Sequence, residues 1–213
     1  MFITGVIFSA LGISLITKAG LGTSPITSLA FVLTFIFPHS LGEFTMLVNT
    51  VMFLIQAALL GKAFGKVQLL QLPAALLFSA CIDGWMYILG FWKTGSYVGQ
   101  VLMLLLGCVF LGLGIAFEVI PNVLILPGEG LVRVIAGLTG WRFGLVKTGF
   151  DMSIVASAVG VSLFFTGHVL GIREGTVLAA LIVGSISHFF IEKVSNVLEG
   201  WIPDYSDAGD ACP

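Results

Sequence analysis

Nine ionisable side chains stand inside or beside long apolar runs: Asp83, Glu118, Glu129, Arg133, Lys147, Asp151, Glu174, His188 and Glu192. A charge at membrane depth costs at least about 2.5–3.5 kcal/mol, so such a group must face protein, water or a partner charge. Spacing sorts them. Glu129 and Arg133 are four residues apart, as are Lys147 and Asp151. On a helix each pair shares a face and neutralises itself. Arg133, Lys147 and Asp151 are therefore read as structural ion-pairing residues, with switchable partners around a cavity as the alternative.

Glu118, Asn122 and Glu129 place two carboxylates and an amide about one break in the apolar pattern. That set suits a cation or an amine. An earlier break carries Lys18, Thr23 and Ser24, a cationic and hydroxyl-rich set that suits an anion. These six are the candidate solute-binding residues. The plainer alternative is that they only satisfy the backbone of the breaks, Glu129 capping a helix start where the dipole favours a carboxylate. Asp83 and His188 are titratable groups in mid-helix. They are candidate proton-coupling residues, or else simply bonded to a neighbour.

Positioning such groups is the task of apolar helices. A membrane helix needs about 17–25 mostly apolar residues. Six stretches qualify or nearly do: 2–17, 44–60, 69–91, 98–117, 144–165 and 176–191. The first and last are short. Two further stretches, 25–37 and 127–138, are too short to span alone, and each opens with proline. Proline suits a first helical turn, where its missing N–H would be unpaired anyway. Both are read as half-helices of about 20 Å. Residues 196–213, with Asp204, Asp207 and Asp210, read as an acidic tail.

The chain aligns with itself at an offset of 102 residues. Gly5, Phe8, Gly12, Pro25 and Gly42 fall on Gly107, Phe110, Gly114, Pro127 and Gly144. A further three-residue shift pairs Asp83 with His188. Residues 1–95 and 96–195 are thus two membrane repeats. Re-entrant half-helices would give each repeat three crossings, and an odd number inverts the second repeat. Half-helices that cross fully would make the repeats parallel. With both termini in the cytoplasm, Lys62, Lys66, Arg142 and Lys193 lie inside, against Lys18, Lys93 and Arg173 outside. This thin bias favours inversion.

Composition sets the class. Hydrophobic residues make up 58% of the 213 and charged residues 9%, and the mean hydropathy is +1.11. A soluble domain carries about 25% charged residues. The expected fold is all-α: a polytopic membrane protein of six transmembrane helices and two half-helices, built as inverted repeats. A net charge of −2 gives no footprint for nucleic acid. No P-loop, GxSxG or HExxH motif appears. No Cys/His cluster suggests a metal or redox cofactor, and Cys81 and Cys108 read as packing residues. Neither an enzyme nor a cofactor is expected.

Three stretches carry a resemblance: LGISLITKAGLGTSPIT at 11–27, LPGEGL at 126–131 and GIREGTVLAALIVG at 171–184. Through them the chain resembles the YitT/YczE family of bacterial membrane proteins over nearly its whole length. The departures are Glu129, where that family usually has Asp, and Leu126, where Gly is common. The resemblance implies a multi-pass protein of the bacterial inner membrane and leaves activity open.

Two functions fit these readings. One is a secondary transporter or permease for a small polar or charged solute, bound at the broken helices. The other is a membrane-embedded accessory or assembly protein with a homo-oligomeric or other membrane partner. The lipid bilayer is a partner in both.

Overall fold

The computed structural model describes residues 1–61, 64–92, 95–121 and 124–199. The elements run α1 (Phe2–Lys18), a 3-10 turn (Pro25–Thr27) leading into α2 (Ser28–Ile36), α3 (Leu41–Leu60), α4 (Gln71–Ile88), α5 (Tyr97–Val119), α6 (Pro127–Thr139), α7 (Phe143–Thr166) and α8 (Glu174–Glu199). Five segments are long and apolar enough to cross a membrane: Leu41–Leu60, Val67–Phe91, Tyr97–Val119, Gly144–Thr166 and Glu174–Val194. The protein is thus an all-helical membrane protein. The expected span at 2–17 is a helix of 17 residues, below the length of the other five. The expected span at 176–191 is longer than its apolar run. It starts at Glu174 and continues through the first residues assigned to the tail, to Glu199. The charges of Glu192 and Lys193 end the apolar pattern without ending the helix, because both residues are good helix formers.

Both short segments start at their proline. The chain enters each in extended backbone, at Ser24 and at Leu126, because the residue before proline is pushed out of the helical region. Helix α3 begins with a capping box. Ser40 accepts from the Glu43 amide, and the Glu43 carboxylate accepts from the Ser40 amide. The sequence signal was present as Ser40-x-x-Glu43.

The centre of the molecule is the seam between α1 and α5. Glycines bring the two backbones together. A Cβ on Gly5 would lie 2.8 Å from the Gly114 carbonyl oxygen, and one on Gly114 would lie 2.8 Å from that of Gly5. A Cβ on Gly12 would lie 2.7 Å from the Gly107 oxygen, and one on Gly107 would lie 2.8 Å from that of Gly12. Low numbers on one helix face high numbers on the other, so the two run antiparallel. The pairing is also reciprocal: Gly5 meets the repeat equivalent of Gly12, and Gly12 meets the repeat equivalent of Gly5.

The remaining packing largely follows the same exchange. Helix α1 packs on α4, as α5 packs on α8. Helix α3 packs on α6, as α7 packs on α2. The halves differ in one respect. Helices α3 and α4 pack on each other, with Gly42 against the Ser79 carbonyl and the Asp83 carboxylate. Helices α7 and α8 form no such interface among the described residues. Gly144, the equivalent of Gly42, has open space where a Cβ would stand.

Candidate functional site

A cavity of about 890 Å³ lies between the two halves. Both broken segments contribute to it. Ser24, Pro25 and Thr27 come from the turn that opens α2, and Leu126, Gly128 and Glu129 from the start of α6. The two helix starts meet: a Cβ on Gly128 would stand 2.5 Å from Ile26 Cδ1. Ile26 and Gly128 stand at the offset of 102 residues found in the sequence. The cavity opens where α7 and α8 fail to close, past Gly144, Thr148, Gly184 and His188, all exposed.

Glu118, in the last turn of α5, is 2% exposed. Its Oε1 accepts a hydrogen bond of 2.7 Å from Ser9 Oγ on α1. The charge that Glu118 feels is another carboxylate, Glu129. Glu129 in turn lies within electrostatic reach of Lys147, Asp151 and Arg133. Lys147 Nζ donates to Asp151 Oδ1 at 2.9 Å, one turn apart on α7. Arg133 is exposed. All of these side chains line the cavity, as do Arg142 and His188.

Ser24, Glu118, Glu129, Arg133, Lys147, Asp151 and His188 are therefore brought to one place. Other candidates are not. Asn122 lies outside the described residues, as do Lys62, Lys93 and the tail beyond 199. Lys18 is half-buried in the last turn of α1 and does not line the cavity. Its charge there favours the helix C-terminus. Thr23 is fully buried in a hydroxyl ladder, 2.8 Å from Thr17 and 3.1 Å from Thr27, and its amide donates to Thr176 Oγ1. Gly175 N donates to the Leu21 carbonyl, and Arg173 to that of Gly20. The first break is thus sealed by the start of α8, and its hydroxyls satisfy backbone and one another. Asp83 is also away from the cavity. Its carboxylate accepts from Ser40 Oγ at 2.6 Å and from the Gly42 amide at 2.8 Å, tying α4 to the start of α3. Asn49 lines the cavity, and its amide donates to the Thr45 carbonyl of its own helix.

Ser9 is the site residue that the sequence reading missed. A signal existed. Gly5, Ser9 and Gly12 form a small-residue stripe at spacings of four and three, the pattern of a close helix interface. Among the described residues, no group of three His, Cys, Asp or Glu side chains is placed to hold a metal ion.

Helical spans, paired glycine seams and a charged interior cavity together define an all-helical, multi-pass membrane protein. The chain belongs to a family of unknown function, DUF6198, whose model matches residues 1–192. It is 27% identical to the uncharacterized membrane protein YczE of Bacillus subtilis (strain 168), over all of this chain and 94% of that one. It is 28% identical to the uncharacterized protein YyaS of the same organism, over 89% of this chain and 90% of that one. No solved structure matches.

Proposed function

We propose that this protein is a secondary transporter or permease for a small polar or charged solute, in the bacterial cytoplasmic membrane. One observation carries the reading: a charged cavity bounded by both broken segments, closed on the α3–α4 side and open on the α7–α8 side. Secondary transporters place their substrate at discontinuous helices, where two repeats meet. Here we take α1 as the sixth span, and α2 and α6 as re-entrant half-helices. Residues 1–95 and 96–195 are then inverted repeats. The antiparallel, reciprocal α1–α5 seam supports inversion, since equivalent helices of opposite direction need a two-fold lying across the helix axes. Inverted repeats also give the asymmetry a meaning. If the repeats exchange conformations, α7 closes on α8 as α3 now closes on α4. Gly144 then takes the place of Gly42, and His188 that of Asp83.

The test is uptake into proteoliposomes, screened across amines, amino acids, organic acids and inorganic anions, with and without an imposed proton gradient. Uptake that exceeds protein-free vesicles for one class supports the reading. Protein that is folded and monodisperse but moves none of them refutes it. One feature favours the accessory role instead. Only 6% of the α8 span and 17% of the α7 span are buried, so a partner has two largely exposed helices to cover. Under that reading, extraction in mild detergent yields a stoichiometric second chain.

A further inference from the structure

We propose that the cavity takes a lipophilic monocation, an organic ammonium or comparable charge on an apolar body, with Glu118 as its counter-ion. The proposal deepens the transporter reading by naming a ligand class for the same cavity.

The argument starts from what the fold does not need. Under the repeat offset, Ser9 and Glu118 correspond to Leu111 and Ile16. These sit at the mirrored place on the α1–α5 seam, 6% and 0% exposed. An apolar pair fills that place, so the seam's architecture requires no carboxylate. Burying a carboxylate without a partner is costly. The protein meets that cost at one of the two equivalent positions: Glu118 lines the cavity, and its counterpart Ile16 does not.

The surrounding charges narrow the class. Lys147 is held by Asp151 at 2.9 Å. Arg133, Arg142 and His188 are exposed. Glu129, the charge acting on Glu118, has the same sign. Among the described residues, Ser9 is the one hydrogen-bond donor to Glu118. The deep end of the cavity therefore attracts positive charge. Its walls are apolar: Ile13, Met52, Phe78, Leu111 and Ile115 line it with Glu118. The volume of about 890 Å³ sits near the top of the roughly 300–1,000 Å³ range of drug-sized ligand sites. An inorganic cation would leave most of that apolar wall uncovered. An apolar body with one cationic centre satisfies wall and carboxylate together. The gap between α7 and α8 gives such a solute a route from the bilayer itself.

The experiment uses the full-length protein in lipid nanodiscs and two probes of one shape and opposite charge. Binding of tetraphenylphosphonium and tetraphenylborate is measured calorimetrically, with empty nanodiscs subtracted. The wild type should prefer the cation by about tenfold or more, the scale of a buried charge pair. Glu118→Gln keeps an acceptor for Ser9 and should lose the preference, whereas Glu192→Gln on the exposed part of α8 should keep it. The wild-type comparison stands even if Glu118→Gln fails to fold. Equal binding of the two probes, preference for the anion, or a preference that survives in folded Glu118→Gln overturns the proposal. Flux separates the two readings. Cation binding at Glu118 without uptake leaves the ligand class standing and removes transport. Uptake of an amino acid or an inorganic anion with no cation preference keeps transport and overturns the ligand class.

Discussion

Replacing Gly107 by alanine tests the α1–α5 seam most directly. The new Cβ would stand 2.8 Å from the Gly12 carbonyl oxygen, 2.9 Å from the Ile16 amide nitrogen and 2.7 Å from Ile16 Cγ1. Ordinary van der Waals contact lies at about 3.5–4.0 Å, so α1 must give way by several tenths of an ångström. Two of the three atoms are backbone, so rotamer changes cannot relieve the clash. Helix α1 is also packed against α4, which resists its retreat. Overpacking of this kind costs about 1–3 kcal/mol. Alanine returns up to about 1 kcal/mol through its higher helix propensity. The net expectation is a loss of about 1–2 kcal/mol, read as a lower midpoint in reversible SDS unfolding. Gly160→Ala on α7, with open space at its Cβ, is the control and should gain about 0.5–1 kcal/mol. The reciprocal glycine contacts add a second demand. Gly5 meets the Gly114 oxygen, the Glu118 amide and Glu118 Cγ at 2.8–2.9 Å, so Gly5→Ala should cost about as much as Gly107→Ala. If Gly107→Ala unfolds at or above the wild-type midpoint, the close glycine seam is wrong. If Gly5→Ala alone is harmless, the reciprocity is wrong.

Three further outcomes are expected. A double-mutant cycle of Lys147→Met and Asp151→Asn, read by SDS unfolding, should show a coupling of about 1–2 kcal/mol, between the exposed-pair and buried-pair limits; zero coupling would mean the 2.9 Å contact is not held in the membrane. Asp83→Ala removes both bonds at the α3 start and should destabilise by about 3 kcal/mol, while Asp83→Asn keeps the acceptor for the Gly42 amide and should lose about half as much; equal effects would show that packing, not hydrogen bonding, holds α3 to α4. Gly144→Leu should leave the melting temperature unchanged, since nothing stands near its Cβ, yet abolish uptake if α7 must close on α8; unchanged uptake would count against exchange between the repeats.

What the sequence disclosed follows from what is local. Pro25 and Pro127 marked the starts of both short segments because proline fixes its own φ and restricts its neighbour. Apolar run length disclosed five of the six expected spans, because the bilayer imposes it. Run length failed at 192–199, where the helix outlasts the apolar pattern. The Lys147–Asp151 contact was legible because a single helical turn makes it. Thr23 and Asp83 looked like chemistry because polarity in an apolar run is conspicuous. Their partners Thr176 and Ser40 stand 153 and 43 residues away, where no spacing rule reaches.

Ser9 and Glu118 show how the long-range part is nonetheless constrained. They are 109 residues apart, and no motif joins them. Yet the repeat places Gly107 and Gly114 at the offset of Gly5 and Gly12, and the small-residue face on each helix names the surface that must meet. Once those faces are set antiparallel, Ser9 on its glycine stripe comes opposite the turn that carries Glu118. The direction of packing is the missing quantity. Parallel repeats would set Gly5 against Gly107 and carry Ser9 away from Glu118. The hydrogen bond at 2.7 Å is therefore a local report on a longer-range property, the relative direction of α1 and α5. Uncoupling of Ser9→Ala from Glu118→Ala, which removes the acceptor, in a double-mutant cycle would count against the antiparallel seam as well as the site.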